Sequence, residues 1–214
     1  MSSFYFIGYL SAIAFTLRFL VQWIESEKEG RSVVPKAFWW LSITGNVTLF
    51  IHSLIQMQFP MSFIQGINGV ISWRNLNLMG NRKASFAIVA LLFLSISAFC
   101  VSYFFLRANG IEEWFSIPTH TFQPDPNRSA PLVLHLFGLI GVFLFNSRFI
   151  IQWWQSEKSG VSVLSPLFWW TSLIGGLFSL IYFVSIMDFV NLIGPLFGIV
   201  PYARNLILLR RQTA

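Results

Sequence analysis

The segment RFLVQWIESEKEGRSV at residues 18–33 returns at 148–163 as RFIIQWWQSEKSGVSV, and the displacement of 130 positions holds without a gap well beyond it. Under this shift Gly8 falls on Gly138, Arg18 on Arg148, Gln22 and Trp23 on Gln152 and Trp153, and Ser26, Glu27 and Lys28 on Ser156, Glu157 and Lys158. Farther along, FWW at 38–40 meets FWW at 168–170, Gly45 meets Gly175, and the run Arg74, Asn75, Leu76 meets Arg204, Asn205, Leu206. So long a match, anchored by Trp and Arg, is not coincidence. The chain is expected to fold as two copies of one unit, residues 1–80 and 131–214, with residues 81–130 as a linker helix and outer loop.

Each unit is built of apolar runs of about 20 residues, the length a helix needs to cross a ~30 Å hydrocarbon core. They lie near 4–24, 37–57, 59–79, 84–106, 131–154, 167–187 and 189–209. Only 10% of the 214 residues are charged and 55% are hydrophobic, against roughly 25% charged in soluble domains. The pattern predicts an all-α integral membrane protein with seven transmembrane helices. No room is left for a separate soluble catalytic domain, so no enzymatic activity is expected. The first run lacks a basic leader and a small-residue cleavage site, and it recurs in the repeat, so it is expected to stay in the mature protein. A single cysteine, Cys100, excludes an intramolecular disulfide, and His52, His120 and His135 lack zinc-site spacing. No metal or other cofactor is expected.

Corresponding helices lie four spans apart, an even number, so both units must point the same way across the bilayer. The odd fourth helix restores the orientation, which makes the units parallel three-helix bundles. Lys28, Arg31, Lys36, Arg82, Lys83, Lys158, Arg210 and Arg211 fall on one face. The other face carries Arg107, Arg128, Glu112, Glu113, Asp125 and Asp188. The positive-inside rule then puts the N-terminus outside and the C-terminus in the cytoplasm. The same rule explains the excess of 14 Lys and Arg over 8 Asp and Glu, so nucleic acid is not an expected partner.

Arg18 precedes Ser26, and Arg74 precedes Arg82, by eight residues. At 1.5 Å per helical residue these arginines sit roughly 12 Å inside the cytoplasmic ends of their helices. The repeat places Arg148 and Arg204 at the same depth, giving four guanidinium groups in one layer. Such a charge at mid-helix costs about 2.5–3.5 kcal/mol on insertion scales. Snorkelling to the headgroups is the bland explanation for any one of them. Polar companions lie in helical stripes: Ser11, Phe15, Arg18, Gln22 and Glu25; Gly141, Phe145, Arg148, Gln152 and Gln155; Gln65, Asn68, Ser72 and Asn75; Gly198, Tyr202 and Asn205. A polar stripe either glues helices together or lines a cavity.

Two partners suit these arginines. Glu25, Glu27 and Glu157 can fold back onto Arg18 and Arg148, or an anion arrives from outside. Arginine's planar fork matches phosphate, and an anionic lipid headgroup arrives at this depth. On the second reading Arg18, Arg148, Arg74 and Arg204 hold the phosphate, while Gln22, Gln152, Asn75, Asn205, Asn68 and Tyr202 orient the headgroup. No Asp or Glu falls mid-span, so movement of the anion is expected to be downhill or driven by the membrane potential. The FWW clusters read as an interfacial aromatic belt, Gly45 and Gly175 as close-packing positions, and the acids of 107–130 as a solvated loop.

The ordered pattern of Arg, Gln-Trp, Ser-Glu, Gly, Phe-Trp-Trp and a closing Arg-Asn-Leu, present in both halves, resembles the lipid A biosynthesis N-terminal domain family, whose module precedes some lipid-A-disaccharide synthases. The resemblance covers most of the chain outside the linker. It implies kinship with SWEET and PQ-loop transporters, whose fold is two parallel three-helix bundles joined by a linker helix. The chain departs from them in lacking a Pro-Gln dipeptide, in placing Pro35 and Pro166 one position out of register, and in having Ser72 where the second half has Tyr202. With no synthase domain following, glycosyltransferase activity is not implied. The expected function is a bacterial inner-membrane transporter, or flippase, of a polyprenyl-phosphate-linked sugar, with an aminosugar suggested by the lipid A association. A SWEET-like carrier of free sugar and a non-transporting accessory subunit that presents lipid to a glycosyltransferase partner are the alternatives.

Overall fold

The computed structural model describes residues 5–114, 132–185 and 189–213. His120, Asp125, Arg128 and Asp188, with most of the expected outer loop, lie outside them. Among the described residues the chain forms seven α-helices, α1 (Tyr5–Glu29), α2 (Lys36–Ile55), α3 (Phe59–Leu78), α4 (Phe86–Arg107), α5 (Leu132–Ser159), α6 (Pro166–Ser185) and α7 (Phe189–Thr213), and one 3-10 turn at Ile111–Trp114.

Six of the seven are long and apolar enough to cross a membrane. The exception is α3. It has the same 20-residue length as α2 and α6, but Gln65, Asn68, Ser72, Arg74, Asn75 and Asn77 lower its hydropathy. All of these but Asn77 are buried against other helices, so its polarity faces protein. The outward surface is apolar, with Leu106, Phe105, Val133 and Phe143 each more than 70% exposed. Soluble monomers rarely leave such surface to water.

The first helix of each unit runs farther than its apolar stretch. α1 and α5 continue through Ser-Glu-Lys and stop where Gly30 and Gly160 take φ of 63° and 69°, the left-handed conformation that ends many helices. The chain then doubles back in extended loops at 31–35 and 161–165. Ser26 Oγ accepts the Val33 amide at 3.1 Å, and Ser156 Oγ accepts the Val163 amide at 3.2 Å. Pro35 sits just before α2 and Pro166 just inside α6. Both positions tolerate proline, so their one-place offset leaves the helix start unchanged. The turn from α2 to α3 is tight enough to put Met57 at φ 54°, uncommon without glycine.

α1, α2 and α3 pack in sequence, as do α5, α6 and α7, while α4 lies on α3; the halves join where α1 meets α7 and α3 meets α5. At this junction sits the core of Phe19, Phe38, Trp39, Phe149, Phe168, Trp169 and Tyr202. The FWW clusters are therefore not belts. Phe38, Trp39, Phe168 and Trp169 are fully buried, and only Trp40 and Trp170 face outward, because 100° per residue turns just one of three consecutive side chains away from the core.

Candidate functional site

Arg18 and Arg148 face each other across the junction of the two halves. The guanidinium of Arg18 lies 4.7 Å from the Phe19 ring centroid and 5.1 Å from that of Phe149; that of Arg148 lies 5.9 and 4.9 Å from the same two rings. Phe15 adds a face at 4.5 Å to Arg18, and Phe145 one at 3.5 Å to Arg148. Aromatic faces attract such cations by about 0.5–2 kcal/mol each, but they do not neutralise charge. Side-chain hydrogen bonds are few. Arg18 donates to Ser42 Oγ at 3.3 Å and Arg148 to Tyr202 Oη at 3.1 Å. The buried Nε atoms of both arginines have no partner among the described residues.

No carboxylate pairs with either cation among the described residues. Glu25 pairs with Lys28, Glu29 with Arg31, Glu157 with Arg74 and Glu27 with Arg204. The expectation that Glu25, Glu27 and Glu157 fold back onto Arg18 and Arg148 is thus replaced by a crossed arrangement. Arg74 donates from Nε and Nη2 to the two oxygens of Glu157 at 2.6 and 2.9 Å, and also to Asn77 Oδ1 and the Ala84 carbonyl, each at 2.8 Å. Arg204 grips Glu27 in the same forked manner. Trp23 and Trp153 steady these glutamates by donating from Nε1 at 3.0 and 3.1 Å. The four arginines do not form one layer of equivalent cations. Two are paired with acids of the opposite repeat, and two have no acid partner among the described residues.

The amides follow the same crossing. Gln22 and Asn205 exchange hydrogen bonds at 2.8 and 3.0 Å, and Gln152 and Asn75 do so at 2.6 and 3.0 Å. Ser32 Oγ donates to Asn205 Oδ1 and Ser162 Oγ to Asn75 Oδ1, both at 2.7 Å. Both glutamines also hold their own loops, donating to the Val33 and Val163 carbonyls at 3.1 Å. These four residues are engaged with protein at the junction, so this end of each polar stripe acts as glue. Each half supplies Gln and Glu from its first helix to the Arg-Asn of the other half's third, forming two clasps.

Beside the clasps, on the side toward the N-terminal end of α1, lies a cavity of about 160 Å³. Arg18, Arg148 and Asn68 line it, together with Ser11, Gln65 and Asn46. Its remaining wall includes Phe15, Phe145 and the Ile193–Pro195 segment of α7. Of the residues expected to bind or orient a headgroup, only Arg18, Arg148 and Asn68 border this space, and Tyr202 touches it through Arg148. Asn46 and Asn146, which also lines the wall, were not picked out by the stripes. Each is a lone amide inside an apolar run, and that isolation was the available signal.

Residues 7–77 and 137–207 each match the family model of the Lipid A Biosynthesis N-terminal domain. The chain belongs to this family. The lipid A biosynthesis N-terminal unit thus occurs twice in it, and the matched stretches are 130 positions apart, the displacement of the repeat. Curated relatives include the lipid-A-disaccharide synthase of Chlamydia felis, 36% identical over 217 residues, covering 98% of this chain and 33% of that protein. Those of Chlamydia pneumoniae and Chlamydia trachomatis serovar D are 35% and 34% identical, each alignment covering 97% of this chain and 34% of the relative. The chain therefore spans about a third of the length of the relatives it matches. No solved structure matches it.

Proposed function

We propose that this chain is a transporter in the bacterial inner membrane that moves a polyprenyl-phosphate-linked sugar between leaflets, with Arg18 and Arg148 holding the phosphate. The observation that carries the reading is a cavity with two deeply buried arginines, neither paired with an acid among the described residues, in helices apolar enough to cross a membrane. Carrying such charges without a counter-ion is costly, and intramembrane charges usually mark a substrate path. Arg74 and Arg204 leave the proposed phosphate set, since each already forks onto a glutamate. Gln22, Gln152, Asn75 and Asn205 act in it only by holding the halves together. Asn68 remains a headgroup contact, and Tyr202 aims Arg148.

On this reading the helices form two parallel three-helix bundles joined by α4, a SWEET-like arrangement, with the N-terminus in the periplasm and the C-terminus in the cytoplasm. Lys28 and Lys158 then mark the cytoplasmic end, where the clasps shut the junction, and the cavity lies on the periplasmic side of them. The chain itself performs no bond-making step. An accessory role has support of its own, because the relatives are named as synthases and this chain corresponds to a third of them; the protein would then present a lipid substrate to a glycosyltransferase.

Purified protein in liposomes, tested in turn with a labelled polyprenyl-phosphate sugar and a labelled polyprenyl-diphosphate sugar, separates the two. Leaflet exchange faster than in empty liposomes, lost in Arg148→Gln, is the expected outcome. Exchange of both lipids no faster than in empty liposomes removes the transporter reading and leaves presentation.

A further inference from the structure

The two cavity arginines constrain the chemistry of the headgroup beyond its being a phosphate. Their polar neighbours in the wall, Ser11, Asn46, Gln65, Asn68, Asn146 and Ser179, are all uncharged, and no Asp or Glu lines the space among the described residues. The two guanidiniums share the Phe19 and Phe149 faces, so each repels the other in surroundings that screen poorly. A ligand with one negative charge leaves one of these cations uncompensated. A ligand with two compensates both, and each unpartnered Nε can donate toward it. A positive group on the ligand would find no carboxylate among the described lining residues and would lie close to the arginines. The cavity, about 160 Å³, is close to the ~150 Å³ that holds one benzene, so it takes a phosphate with at most a single small ring.

Resting on the reading that Arg18 and Arg148 hold phosphate, we propose that the cavity selects a doubly charged phosphate, a phosphomonoester or a diphosphate, and rejects a sugar bearing an ammonium group. An aminosugar headgroup with a free amine, suggested by the lipid A association, is therefore disfavoured, and among polyprenyl sugars those joined through a doubly charged diphosphate are favoured over those joined through a singly charged phosphodiester.

The test uses the purified full chain in nanodiscs, with binding followed by calorimetry at pH 7 and pH 5. The probes are glucose 1-phosphate, glucosamine 1-phosphate, the methyl phosphodiester of glucose, glucose and geranyl phosphate. At pH 7 a phosphomonoester, with its second pKa near 6, is mostly dianionic. Glucose 1-phosphate and geranyl phosphate should then bind at least about tenfold more tightly than the diester, and glucose 1-phosphate about tenfold more tightly than glucosamine 1-phosphate. The advantage over the diester should vanish at pH 5, where the monoester carries one charge. The tighter of the sugar and prenyl monoesters identifies a soluble or a lipid-borne source, and either order supports the proposal if both exceed the diester. Equal affinity for monoester and diester at pH 7, or for glucose 1-phosphate and glucosamine 1-phosphate, overturns it while leaving phosphate binding intact. If no phosphate binds better than glucose, or if Arg18→Gln leaves phosphate binding unchanged in folded protein, the underlying reading fails and the selectivity falls with it.

Discussion

Arg148 and Arg74 are almost equally buried, at 2% and 5% exposure, yet among the described residues only Arg74 has a counter-charge. Their substitutions should separate a structural cation from one kept for a ligand. Arg74→Gln strands Glu157 in a poorly hydrated position with Trp153 as its remaining donor, and stability should fall by about 3–5 kcal/mol. Arg148→Gln removes one of two mutually repelling charges and keeps a donor for Tyr202, so the change should stay within about 1 kcal/mol. Denaturant unfolding in detergent measures both. A loss at Arg148 as large as that at Arg74 would make Arg148 part of the scaffold and remove the main support for a phosphate site. The positions of all four charges were readable from the sequence, but their partners were not. The pairs join residues 83 and 177 positions apart, and each glutamate reaches the opposite repeat. Spacing along a single helix carries no trace of that.

At the scale of helices, the sequence foretold the seven elements and the duplication because both rest on local patterns, apolar run length and an ungapped match. It missed where α1 and α5 end, because these helices outlast their apolar stretch and stop at a glycine in the left-handed region. It also assigned both FWW clusters to an interface, since adjacent aromatics look alike until a neighbouring helix determines which one turns outward. The close-packing reading of the glycines does have geometric content. A Cβ at Gly175 would stand 2.6 Å from the backbone nitrogen of Phe145, so α5 and α6 would have to part. At Gly45 its nearest neighbours would be atoms of the Phe15 ring, the closest at 2.4 Å, and a side chain yields more readily than backbone. Gly175→Ala should therefore lower thermal stability by about 1–3 kcal/mol, and by more than Gly45→Ala. Equal losses would show that α5 and α6 yield as easily as a side chain.

At the scale of the whole molecule, the two clasps and the cavity divide the junction along its length. On α1, Gly8, Ser11, Phe15 and Arg18 face the cavity, whereas Gln22 and Glu27 belong to a clasp roughly one and two and a half turns farther on. α5 repeats the order, with Phe145 and Arg148 at the cavity and Gln152 and Glu157 in the other clasp. Each clasp combines a forked ion pair with two reciprocal amide bonds, and together they seal the end that carries Lys28 and Lys158. Interhelical hydrogen bonds in a membrane average only about 0.6 kcal/mol, so the amides alone make a weak seal, and the ion pairs are the part whose loss should release it. If the seal is a gate, then in the proposed orientation neutralising Glu27 and Glu157 should expose the floor of the cavity to the cytoplasm without unfolding the protein. Ser42, fully buried beside Arg18, is a suitable reporter. With Cys100→Ser as background, Ser42→Cys should resist a membrane-impermeant thiol reagent applied to inside-out vesicles. Adding Glu27→Gln and Glu157→Gln should raise its labelling at least about tenfold, the response to a shift of about 1.4 kcal/mol in the opening equilibrium. Labelling that stays low in folded protein would mean that the clasps only cement the two halves, and would favour presentation of a lipid over its passage.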